Sequence, residues 1–128
     1  MTSMPKTIFS VIESSMHPDF SDLYASLDLV ETRFNSLRKT INNLKHQPDF
    51  IVAEFFYGYG NNYAGVNISN LDVMLHSLPK YSLNTKVIVL VSKEERAFAS
   101  KLEALFPLHA ILQLPVSNAE MQAALTKE

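Results

Sequence analysis

The chain contains no cysteine, which excludes disulfides, thiolate nucleophiles and cysteine-bound zinc together. Histidine does not take over: His17, His46, His76 and His109 stand far apart and form no ligand motif. A charge excess is also missing. The net charge is −2 over 128 residues, which leaves no basic footprint for nucleic acid, and Arg38, Lys39 and Lys45 read as a solvated helix face. No segment is long and apolar enough to span a membrane. The start, MTSMPKTIFSVIESS, interrupts its short apolar run with Ser10 and Glu13, unlike a signal peptide. No Walker loop or G-x-S-x-G appears, and GYGNNYAG lacks the dinucleotide-binding spacing. The expectation is a cytoplasmic, non-enzymatic protein without cofactor or metal, bound neither to nucleic acid nor to a membrane.

Glycine is scarce, and its placement is informative. The three glycines, Gly58, Gly60 and Gly65, fall in one stretch with Tyr57, Tyr59 and Tyr63. Elsewhere the chain is regularly patterned, and its length suits one domain, residues 1–128. Thr7–Ile12, Ile51–Phe55 and Val87–Val91 are short apolar runs, with Ala110–Leu114 a weaker fourth. Runs apolar on both faces predict parallel strands covered by helices on each side.

Helix signals lie between these runs. Ser69, with Asp72 three residues later, precedes Leu71, Met74, Leu75 and Leu78, and Pro79 reads as a stop. Ser92 with Glu95 forms a capping box ahead of Phe98, Leu102, Leu105 and Phe106; Ser117 with Glu120 repeats it. Residues 17–47 admit two readings. Phe20, Leu23, Leu27, Val30, Phe34, Leu37, Ile41 and Leu44 follow a heptad spacing, but one helix of that span would be about 45 Å long, too long for so small a domain. Val30, Thr32 and Phe34 favour the split: a short helix from Pro18, an edge strand at Leu29–Phe34 and a helix capped by Asn35. The expected class is α/β, a doubly wound sheet.

Alternating elements with PDFIVAE at the centre resemble the receiver domain of two-component response regulators, over the whole chain. The resemblance implies a CheY-like, flavodoxin-like fold with five parallel strands in the order 2-1-3-4-5, and a bacterial signalling setting. It also implies a phosphoacceptor site, whose positions are altered here. Glu54 occupies the place of the aspartate that accepts the phosphoryl group. Glu13 and Ser14 stand where an acidic pair holds Mg²⁺. Val91 replaces the threonine or serine of the fourth strand, with Ser92 one step later. Leu114, before Pro115, replaces the lysine that neutralises the phosphoryl charge, and Ile111 replaces the aromatic switch residue.

Phosphoryl transfer depends on positioning and charge neutralisation, and Leu114 supplies no charge. Lys93 is the nearest substitute in the sequence. A glutamate also extends its carboxylate one methylene further, and a misplacement of about 1 Å can cost on the order of a hundredfold. The expectation is a pseudo-receiver that is not phosphorylated and acts by protein–protein contact; the alternative is an atypical switch binding Mg²⁺ or a small anion at Glu13 and Glu54. If those two acids face each other partly buried, repulsion should raise at least one pKa.

Against the receiver pattern the segment at 57–68 is longer by about eight residues, at the carboxyl end of a central strand where open α/β sheets bind ligands. Tyr57, Tyr59, Asn61, Asn62 and Tyr63 suit an interaction loop; Phe55, Phe56, Tyr59 and Tyr63 suit a lid over the acidic pocket, the reading favoured because aromatic residues near a strand end more often pack than recognise. A second surface is the face of the Ser92–Phe106 helix, the last strand and the terminal helix, through which receivers commonly pair, implying a homodimer by resemblance. The chain stops at Lys127–Glu128 with no output domain, so output is expected from a protein partner.

Overall fold

The computed structural model describes residues 5–57 and 69–127. Five strands form one parallel sheet: β1 (Lys6–Val11), β2 (Leu29–Phe34), β3 (Phe50–Glu54), β4 (Lys86–Val91) and β5 (Ala110–Gln113). Their order is β2-β1-β3-β4-β5, as expected. The helices are α1 (Ser21–Ser26), α2 (Leu37–Asn42), α3 (Asp72–Tyr81), α4 (Arg96–Ala99) and α5 (Asn118–Thr126).

Strand alternation sorts the core into two layers. Phe9, Val11, Ile51, Ala53, Val87, Val89 and Val91 point to the face covered by α3 and the segment after β4, through Met74, Leu75, Leu78, Ala99 and Leu102. Ile8, Phe50, Val52, Ile88 and Leu90 point to the opposite face, covered by α1 and α5 through Leu23, Tyr24, Met121 and Leu125. β3 and β4 are buried nearly end to end, which is why they read as unbroken apolar runs.

The split of residues 17–47 holds, with β2 at Leu29–Phe34. Its edge position explains the weak pattern: Val30 is exposed, while Leu29 is buried. Asp28 takes a positive φ of 62° between α1 and β2, a conformation that a short polar side chain tolerates.

Four local expectations are corrected. α2 is capped by Ser36, whose hydroxyl accepts from the Lys39 N–H, and not by Asn35, which instead holds the Lys39 ammonium. Pro79 does not stop α3, which runs on to Tyr81; so close to the end, a proline forfeits one hydrogen bond rather than a whole helix. Ser69 lies ahead of α3 rather than at its cap: Asp72 reaches back to accept from the Ser69 N–H at 2.9 Å, and Ser69 Oγ accepts from the Leu71 N–H at 3.0 Å. The capping box at Ser92 does not form. No side chain caps that turn, and residues 93–104 are a 3-10 turn, four residues of α-helix and a second 3-10 turn. By contrast, the box at Ser117 and Glu120 is complete.

Candidate functional site

Glu54 is the last residue of β3 and pairs in register with Leu90. Alternation puts its side chain on the face of Phe50 and Val52, and it is only 2% exposed. An ion buried to that degree is costly unless hydrogen-bonded, and here it is. One oxygen, Oε2, accepts from the backbone N–H groups of Glu13 at 2.8 Å and Ser14 at 3.2 Å. The other, Oε1, accepts from the Ser14 hydroxyl. His17 Nδ1 lies 3.4 Å from Oε2, with both side chains almost fully buried, a contact that is ionic when the ring carries its second proton. The turn after β1 is thus wrapped around the carboxylate.

These contacts decide its acidity. Burial pushes the Glu54 pKa up, but the His17 ring, the Ser14 hydroxyl and the Glu13 N–H outweigh that and hold it below the ordinary 4.5. Glu13 moves the other way. Burial raises its pKa, the hydrogen bond from Asn70 opposes this, and the charge on Glu54 adds to the rise. Repulsion between the two acids is therefore present, as expected, but burial is the larger cause.

Asn70 joins the parts. Its Nδ2 donates to the Glu54 carbonyl at 2.8 Å and to Glu13 Oε1 at 3.2 Å, while its Oδ1 accepts from the Phe56 N–H at 2.7 Å. The Asn70 N–H returns to the Phe56 carbonyl at 3.2 Å, and Tyr57 bridges Ser69 in antiparallel fashion. His17 and Asn70 are the two site residues that the sequence reading passed over. The only local signal was a polar residue adjoining each predicted element.

The remaining positions are apolar. Val91 is fully buried in the α3-side core, and Leu114 packs against the α5-side core. Ile111 packs on the opposite face. Beside Glu54 opens a cleft of roughly 450 Å³, walled by Phe55, Phe56, Leu114 and Pro115, with Lys93, Glu94 and Glu95 at its rim. Phe55 and Phe56 wall this cleft without filling it, and Phe55 belongs to the α3-side core. Tyr57 is 49% exposed, its ring stacked on Phe98 at 4.1 Å, with the Lys101 ammonium 5.4 Å from the Phe98 ring. The Tyr57 N–H donates to Glu95 Oε1 at 3.2 Å, which is what draws Glu95 away from the capping box. Tyr59, Asn61, Asn62 and Tyr63 lie outside the described residues.

A Mg²⁺ ion, implied by the receiver resemblance, needs oxygen lone pairs in near-octahedral array. The residues do not fit it. Donors already occupy both Glu54 oxygens, and Glu13 is turned to Asn70. Among the described residues no group of three or more histidine, aspartate or glutamate side chains is arranged to hold a metal. No described helix is long and apolar enough to cross a membrane.

No family model matches the chain, and no curated protein matches it. Solved structures do. The REC domain of AraT, a response regulator from Geobacillus stearothermophilus, is 11% identical with a TM-score of 0.68, covering 97% of this chain and 92% of that one. A response regulator protein from Burkholderia multivorans is 15% identical, TM-score 0.66, covering 98% of both chains. One from Burkholderia pseudomallei, solved with a phosphorylated aspartic acid, calcium ion and citrate, is 15% identical, TM-score 0.62, covering 95% of this chain and 67% of that one. The chain has the fold of a response-regulator receiver domain.

Proposed function

We propose that this protein is a receiver-fold docking module that does not accept a phosphoryl group and signals through protein–protein contact. The observation that carries this reading is the occupancy of the Glu54 carboxylate. Both oxygens already serve as acceptors for the turn after β1, so the nucleophile is spent on holding the fold. Leu114 in the cleft offers no cation, and Lys93 at the rim is followed directly by the carboxylates of Glu94 and Glu95, which offset its charge. Glu54 acts as a permanent clasp between β1 and β3.

Docking is assigned to two surfaces. One is the platform of Tyr57, Phe98 and Lys101, continuous in sequence with Tyr59, Asn61, Asn62 and Tyr63. The other is the face of residues 93–104, β5 and α5, through which a homodimer forms. The partner is a cytoplasmic protein that supplies the output.

The test is incubation with Mg²⁺ and acetyl phosphate, or with beryllofluoride, followed by intact-mass measurement and amide NMR. Unchanged mass and unshifted Glu54 and Ser92 signals are expected. An acyl-phosphate adduct on Glu54 would overturn the reading.

A further inference from the structure

At the opposite end of the molecule, where the strands begin, the charge changes sign. Lys6 opens β1, Lys86 opens β4 and Lys127 follows α5. The three line one cleft of roughly 510 Å³ with Leu27, Phe50 and Asp28 among its other walls. Among the described residues Asp28 is the single acid lining it. Asp49 lies at the same end, but its carboxylate accepts from the Thr7 N–H at 2.8 Å. Among the described residues none of the three lysines makes an ion pair, in a chain whose net charge is −2.

Two further contacts fix where these cations sit. The Lys86 ammonium lies 5.9 Å from the Phe50 ring centroid, and Lys127 Nζ donates to the His109 carbonyl at 2.8 Å. His109 packs edge-on to Phe50 and gives its Nε2 to the Ala124 carbonyl at 2.7 Å. Its pKa is held low by burial first, with Lys86 and Lys127 adding to the fall.

We infer that this cleft is a binding site for a small dianion joined to an apolar body, a phosphate monoester or dicarboxylate of the aryl class. The ammonium groups would take the charge, and Leu27 with the lysine methylene stems would cover the apolar part. The site is independent of Glu54 and stands whether or not the protein docks partners as proposed above.

Amide NMR of the full chain, titrated with phenyl phosphate, phthalate, inorganic phosphate and phenol, tests it. Phenyl phosphate or phthalate should shift the Lys6, Asp28, Lys86 and Lys127 signals saturably. The better of the two should bind about tenfold more tightly than inorganic phosphate, a difference of about 1.4 kcal/mol. Binding should also raise the His109 titration midpoint, because the anion offsets the neighbouring charge. Lys86→Gln with Lys127→Gln should weaken binding at least about tenfold, while Lys39→Gln, which lies outside the cleft, leaves it unchanged. Should the double variant lose its fold, Lys6→Gln alone serves in its place. Failure of both aryl dianions to saturate, equal affinity in the folded variants, or shifts spread over Lys39, Lys45 and Lys101 would overturn the assignment.

Discussion

Ser14 holds Glu54 twice, by its backbone N–H at 3.2 Å and by its hydroxyl on the other carboxylate oxygen. A buried carboxylate on a central strand is thereby tied to the turn leaving the neighbouring strand, 40 residues earlier in the chain. Removing the hydroxyl leaves Oε1 without its donor. Hydrogen bonds to charged groups contribute about 1.5–3 kcal/mol, so Ser14→Ala should lower stability by about that much in urea denaturation at neutral pH. Glu54→Gln should cost at least as much, because the neutral amide gives up the charge that strengthens the hydrogen bonds from Glu13 and Ser14 and the contact with His17. Equal stability of both variants with the parent would dismiss the clasp.

Acid should loosen the clasp, and the sign follows from the two glutamates. Glu54 has a folded pKa below 4.5, so its stabilisation is complete above that value and is lost as pH falls through the folded pKa. Glu13 has a folded pKa above 4.5, so its contribution is present at low pH and is lost as pH rises through the folded pKa. The two oppose each other. On going from about pH 2.5 to pH 7, Glu13→Gln should therefore gain stability relative to the parent, chiefly above about 4.5, and Glu54→Gln should lose it, chiefly below about 4.5. Denaturation midpoints measured across that range decide.

Asn70 makes a prediction of its own. Asn70→Ala strips a donor from the Glu54 carbonyl and from Glu13, and an acceptor from the Phe56 N–H. A destabilisation of about 1–3 kcal/mol is expected, with the Glu13 pKa raised further since its one opposing hydrogen bond is gone. Carboxyl-carbon NMR titration reads the second effect directly.

The architecture was legible because it is written in patterns that local physics enforces. The β2 strand emerged at Leu29–Phe34 from Val30, Thr32 and Phe34 even inside a heptad-like spacing, and the Ser117–Glu120 box formed as read. The same four-residue signature failed at Ser92, because Glu95 was claimed by the Tyr57 N–H, 38 residues away. His17 and Asn70 were invisible for the same kind of reason. Each acquires its role only through partners that the sheet brings alongside, Glu54 for one and Glu13 with Phe56 for the other. Local rules do not carry that information.

The Tyr57 platform predicts a separation of effects. Ring pairs add about 0.5–1.5 kcal/mol beyond their buried area, so Tyr57→Ala should cost about that together with the burial of the covered half of its ring in thermal denaturation. Tyr59→Ala with Tyr63→Ala should abolish capture of the partner while leaving the thermal midpoint nearly unchanged. A large fall in midpoint for that pair would favour the lid.

Helix α5 gives a calibration. Ser117→Ala removes the hydroxyl that accepts from the Glu120 N–H and should cost about 0.5–2 kcal/mol. Its effect should add to that of Ser14→Ala, since the two sites share no partner.

The Tyr57–Ser69 bridge, closed behind by Asn70 on Phe56, fixes the two ends of the intervening sequence side by side on the scaffold. Whatever sequence is spliced between those two posts meets the sheet at the same threshold.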